Sequence, residues 1–167
     1  MSTIQSEHFT KVLFALLDET FDNIHGFYLD RNVSMFETLA NITADEASIP
    51  VGGKCATLAA QVKHVAFHLD YVEKYSRDPN PPQADWGEIW RTVNRVTPGE
   101  WQSIQGELRA NYDRILNLFK TAPAWSSEDE IGIALAVVVH TAYHLGEIRQ
   151  ALCILRSSQS PHSPTRP

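Results

Sequence analysis

Four of the seven histidines stand in two pairs with a spacing of four, His64 with His68 in KHVAFHLDY and His140 with His144 in VVHTAYHLGEIRQ. Residues four apart lie one helical turn above each other on the same face, so two imidazoles at that spacing can converge on one ion. The face that holds His140 and His144 also carries Ile133, Val137, Ile148, Ala151 and Leu155, which turns both rings toward an interior. An imidazole buried without partners loses the water on its nitrogens, and a bound cation makes good that loss at one nitrogen of each ring. Three neutral histidines form the ligand set of many catalytic zinc sites, with a fourth position left for water or substrate. Imidazole also suits nickel, copper and iron, so the ligand type alone does not name the metal. With no carboxylate among the ligands the ion keeps its full charge, which favours hydroxide, thiolate or another anion and lowers the pKa of water. A single pair at this spacing also arises from surface or hydrogen-bonded core histidines; the second pair is what favours a metal. At about 100° per residue His68 lies nearer the apolar stripe of its helix while His64 lies farther round, so helical geometry alone slightly favours His68 as the third ligand.

The elements that must position these rings are helices. From Ser6 to about Asp30, Phe9, Val12, Leu13, Leu16, Leu17, Phe21, Ile24 and Phe27 recur at steps of three and four and predict a first long helix. Ser34 to Ala40 extends it or forms a separate turn, Thr43 to Glu46 reads as a capping box for a short segment, and a loop follows at Pro50 and Gly52-Gly53. Ala56 to Tyr75, with Leu58, Val62, Val65, Leu69 and Val72 in one stripe, predicts the second helix. RDPNPPQAD, residues 77–85, is a connector leading to a small aromatic segment that ends at Trp90. Thr97-Pro-Gly-Glu100 starts a third helix that runs to about Thr121, with Pro at its first position and Pro123 beyond its end. The fourth begins near Ser127, with Glu128, Asp129 and Glu130 in its first turn, and continues to about Arg156. The expected fold is all-α, one domain over residues 1–156, with a flexible Ser- and Pro-rich tail over 157–167.

Composition narrows the partners. A chain of 167 residues with 43% hydrophobic content can bury one core without disulfides. A net charge of -6, with 14 scattered Lys and Arg, argues against a nucleic-acid footprint and for a small molecule or another protein. Cys55 and Cys153 lie far apart and outside any ligand spacing, so they read as buried or incidental reduced thiols. The N-terminal residues lack a secretory pattern and the longest apolar run, Ile133 to Val139, is far short of a membrane span, so a cytoplasmic location with no membrane is expected.

GGKCATLAAQVKHVAFHLDYVEKY and HTAYHLGEIRQAL resemble the two signature segments of the DinB/YfiT-like superfamily of small metal-binding helical proteins, and the second is the more specific. The resemblance runs from the first helix to Leu155. It implies that the metal triad falls on His64, His140 and His144, with His68 behind the ligands or in the cavity. It also implies an up-down-down-up four-helix bundle with a short extra helical segment in the long connector, often paired as a homodimer, holding nickel or zinc in a cleft open to solvent. Some members look like transferases or isomerases in which a low-molecular-weight thiol is activated at the metal, and many have no known reaction. Fold and ligands do not select among these.

Around the triad, Glu147 can orient a ligand imidazole or serve as a candidate base, though glutamates one turn along a helix are more often solvated. Trp86 and Trp90 are expected at the mouth of a pocket or in ordinary packing. Gly146 implies close approach by a neighbouring helix or ligand, since glycine inside a helix costs about 1 kcal/mol relative to alanine. Phe67 lies opposite its helix's apolar stripe and is expected to be exposed, at a dimer contact. The leading expectation is an enzyme that activates water or a thiol for attack on a small electrophile. Its rivals are a non-catalytic metal-binding or stress-associated helical dimer and a metal-free one with buried histidines.

Overall fold

The computed structural model describes residues 5–51, 55–78, 80–121 and 125–159. Seven helices form, and no strand occurs among the described residues. They are α1 (Ser6–Phe21), α2 (Met35–Leu39), α3 (Ala44–Ala47), α4 (Leu58–Arg77), α5 (Glu88–Thr92), α6 (Pro98–Thr121) and α7 (Glu128–Gln159). The four long ones, α1, α4, α6 and α7, share one apolar core that runs from Leu13 to Leu155. α4 packs on both α6 and α7, and α1 packs on α7.

The helix starts obey local chemistry. Thr57 caps α4 by accepting from the Ala60 amide at 3.1 Å. Thr43 with Glu46 and Thr97 with Glu100 form capping boxes, in which each Thr hydroxyl accepts from the Glu amide and the Glu carboxylate accepts from the Thr amide. Ser34 and Glu37 start α2 in the same way, so this stretch is a separate helix and not a continuation of α1.

α1 ends at Phe21, about nine residues before the expected end near Asp30, because a buried side chain takes over the chain's direction. Glu19 is fully buried, and its carboxylate accepts from the amides of Phe27, Tyr28 and Leu29 at 2.9, 2.8 and 2.7 Å. Gly26, at φ +82°, makes the turn that aims those amides back, a conformation that costs glycine nothing. Phe27 is thereby left exposed instead of in the core. Burial pushes the Glu19 carboxyl up, but the three amides outweigh it and hold it below the usual glutamate value. Glu19→Ala strands three donors and is expected to cost on the order of 3 kcal/mol, read as a lower urea midpoint. An unchanged midpoint would mean the turn is held by other contacts.

α4 is fixed on the α6 side by polar contacts. Asn111 Nδ2 donates to the Ala66 carbonyl at 2.7 Å in the core, and Lys63–Glu107 and Arg114–Glu73 ion pairs flank it, each at 2.5 Å. Ala59 and Ala66 are buried and small, which keeps the contact close. The opposite face of α4, with His64 and His68, is left for α7. At the far end of the core Phe21 stacks on Tyr112 at 4.0 Å, and Trp101 Nε1 donates to the Ile42 carbonyl at 2.8 Å.

Four expectations need correction. Phe67 is half-buried with its ring edge-on to Trp86 at 5.2 Å, because the connector folds over it. Of the two readings of Cys55 and Cys153 the buried one fails, since both thiols are exposed. Val12, placed in the stripe of α1, is 46% exposed. α7 runs on through Ser157 to Gln159, so the tail does not begin at 157; residues 160–167, Gly52-Gly53 and Pro123 lie outside the described residues. Among the described residues α7 alone is long and apolar enough to cross a membrane, with a mean hydropathy of 1.5 over 18 residues, of which 39% is buried inside the protein.

Candidate metal centre

α4 and α7 bring three imidazoles into a triangle. Ring centroids lie 5.1 Å apart for His64 and His140, 4.9 Å for His64 and His144, and 4.6 Å for His140 and His144. One ring nitrogen from each lies within 4.8 Å of the others, the reach of a single ion. His64 and His144 are buried and His140 is partly so. The periodicity of α4 slightly favours His68, but the structure groups His64 with the α7 pair. His68 instead stacks flat on His140, with centroids 3.8 Å apart and planes 21° apart.

The hydrogen-bond accounting fits a cation. Among the described residues His64 Nδ1, His140 Nε2 and His68 Nδ1 are buried without a partner, which is costly for a polar group unless a further group fills the valence. His144 differs: its Nδ1 lies 2.9 Å from Glu147 Oε2, so Nδ1 carries the proton, donates it in that bond, and leaves Nε2 as a lone pair. Glu147 thus orients the His144 ring, and Tyr143 hydrogen-bonds the same carboxylate, which raises the Tyr143 phenol.

Electrostatics hold all four rings neutral at pH 7. Burial, then the neighbouring His144, lowers His64 to about 4; burial with His64 and His144 lowers His68 to about 4. Burial with His68, His144 and His64 lowers His140 to about 3. His144 is lowered by burial, against the opposing pull of Glu147. Neutral rings are what a metal needs, because a proton and an ion compete for one lone pair.

The connector supplies the cover. Ile89 on α5 is buried, and Thr57 Oγ1 donates to the Val93 carbonyl at 3.4 Å, which seats the segment over the start of α4. Trp90 then lies over His64, centroids 4.6 Å apart, and Trp86 packs edge-on to Phe67 and Tyr71. Both indoles stay close to two-fifths exposed, as side chains at a mouth do. The Trp90 contact was not legible in the sequence, since it depends on how the proline-rich connector crosses. The chain matches no family model, no curated protein and no solved structure.

Proposed function

We propose that this chain is a metal-dependent enzyme of the DinB/YfiT-like kind, an up-down-down-up four-helix bundle in which His64, His140 and His144 hold one divalent ion. The observation that carries this reading is the convergence of three neutral imidazoles from two helices, with buried nitrogens on His64 and His140 that no group among the described residues satisfies. Nickel and zinc suit the all-imidazole set. A divalent ion in such a site acts as a Lewis acid and lowers the pKa of a water or thiol, supplying a nucleophile at neutral pH.

The chain's own residues do the rest. Glu147 fixes the tautomer of His144 and so keeps Nε2 free. His68 presses on the face of His140 and limits its rotation. Trp86 and Trp90 exclude water from one side and offer a flat apolar wall to a small electrophile. The resemblance favours transfer of a low-molecular-weight thiol, with hydrolysis as the other use of the same centre, in the cytoplasm and on a small-molecule substrate.

The test uses untagged protein, since a polyhistidine tag would bring its own metal. One equivalent of zinc or nickel per chain is expected, together with turnover of a thiol plus chlorodinitrobenzene, or hydrolysis of nitrophenyl acetate, that is lost with chelator and restored by metal. The Trp90 ring over His64 favours one second reading, a closed ion that only stabilises the fold. One metal per chain with no exchangeable ligand and no turnover would establish that reading instead. His68→Ala is expected to keep its metal, with affinity reduced no more than about tenfold, the lower range for partners that orient a ligand.

A further inference from the structure

Among the described residues five buried side-chain atoms lack a hydrogen-bond partner, and all five come from one stretch of α4 and one of α7: Gln61 Oε1, His64 Nδ1, His68 Nδ1, His140 Nε2 and Thr141 Oγ1. Buried polar groups elsewhere find partners, Asn111 and Trp101 among them. An ion on the triad answers for His64 and His140. His68 and Thr141 belong to the level at which His68 stacks on His140. Gln61 stands apart from both, one turn before His64. The ion does not account for its oxygen either, since an amide carbonyl suits magnesium or calcium and not the metals that three imidazoles select.

Its neighbours on the same face fix where Gln61 stands. Thr57, Gln61 and His64 follow at steps of four and three, so they share one side of the helix. Thr57 Oγ1 donates to the Val93 carbonyl at 3.4 Å, and His64 lies under Trp90 with ring centroids 4.6 Å apart. The end of α5 therefore runs along α4 from His64 to Thr57, with Gln61 between the two contacts. Trp90 keeps 38% of its surface exposed, so it can swing aside without opening the core. A small molecule entering beside Trp90 meets the triad, and meets Gln61 one helical turn, about 5.4 Å, further along α4. Methionine has the length and helix propensity of glutamine and would fill this position with no orphan atom, so the amide is kept at a cost in stability and should have a use.

We propose that Gln61 is the specificity residue of this site, its carbonyl accepting a hydrogen bond from a neutral N–H of the electrophile, and that the substrate is a small amide or related N–H acyl compound bearing a flat apolar group. A divalent ion on three neutral rings repels an ammonium, which leaves an uncharged donor. In an amide the carbonyl that a Lewis acid polarises and the N–H stand on adjacent atoms, which matches an ion and an acceptor one helical turn apart. Trp86 and Trp90 are the wall for the flat group. An ester meets the same ion but leaves Gln61 unpaired, and a site built around a donor rejects the analogue that lacks it more strongly than an apolar pocket rejects a change of size. That recognition presupposes the ion on His64, His140 and His144.

Untagged protein loaded with zinc, its metal content checked by elemental analysis, is titrated calorimetrically with benzohydroxamic acid and with the N-methyl analogue, which keeps the ring and the metal-binding oxygens but lacks the N–H. The wild type should bind the N–H compound about tenfold or more tighter, the effect of one hydrogen bond to a buried acceptor. Gln61→Met should keep its zinc and bind the two compounds alike. In metal-free protein the same substitution should raise the urea midpoint, because it removes a buried acceptor that has no partner. Equal affinities in the wild type, or a preference that survives in Gln61→Met, would overturn the assignment and leave the metal site standing. A lower midpoint in Gln61→Met would also overturn it, since the amide would then serve the fold. Failure of the wild type to hold zinc would remove the metal reading itself, and this recognition with it.

Discussion

His140→Ala is expected to lower zinc or nickel affinity by more than about 100-fold, beyond the loss caused by removing a partner that merely orients a ligand. His140 is the ring in the middle. It lies against His64, His144 and His68 at once, and its Nε2 has no partner among the described residues. Its removal leaves two imidazoles on different helices, which bind an ion without the third donor that makes a closed triangle. The helices should survive, since His140 is only partly buried and α7 is held by Val137, Leu145, Ile148 and their neighbours.

Isothermal titration of metal-stripped protein, alongside far-UV circular dichroism, reads both halves of that expectation. His64→Ala and His144→Ala should match it, Glu147→Gln should lose about 10- to 100-fold, and His68→Ala should lose least. If His68→Ala were as damaging as His140→Ala while His64→Ala kept its metal, the ligand set would be His68, His140 and His144. That is the set the helical periodicity of α4 slightly favours. Retention of one tight metal in His140→Ala would remove the triangle altogether.

The parts of this protein that the sequence made legible are those decided by near neighbours along the chain. Capping boxes at Thr43 and Thr97 act over three residues, and the α6 core face from Trp101 to Phe119 follows from a period of 3.6. The pairing of His140 with His144 is local in the same sense. What escaped was decided at long range. Glu19 stops α1 by capturing amides eight to ten residues later, a capture that no periodic pattern announces. The choice of His64 over His68 depends on the angle at which α7 crosses α4. α7 itself misled, because a helix that is apolar on two sides has no single stripe from which to read its inner face. The two histidines were placed inward correctly only because the residues beside them were apolar too; Leu135, Val139 and Tyr143 would have passed the same test and are exposed.

Metal-free protein should lose much of its stability as the pH falls from about 6.5 to about 4. The sign follows from where protons bind. In the unfolded chain each imidazole titrates near 6.5, whereas in the folded protein His64 and His68 are held to about 4, His140 to about 3, and His144 is also lowered. Above 6.5 neither state is protonated and the rings cost nothing. Below it the unfolded chain takes up protons that the folded chain refuses, and unfolding is favoured until the folded values are reached. One ring refusing one proton contributes about 1.4 kcal/mol per pH unit. Four rings do not reach four times that, because they share one patch of burial and His68 and His140 keep some contact with water. A loss of a few kcal/mol remains, against a total stability of about 5–15 kcal/mol for a domain of this size. The Glu19 cradle adds to the loss only below the ordinary glutamate value of 4.5, where the unfolded carboxyl takes a proton that the cradle refuses, so it overlaps the imidazole window only at its acid end. Urea midpoints of the metal-free protein at pH 7.5, 6.5, 5.5 and 4.5 should fall steadily below 6.5, and less steeply in His68→Asn. A flat profile down to pH 4.5 would mean that water reaches the rings freely and that they are not held neutral. Zinc- or nickel-loaded protein should keep its midpoint to a lower pH, because the ion binds the folded state alone and burial has already made the proton its weak competitor.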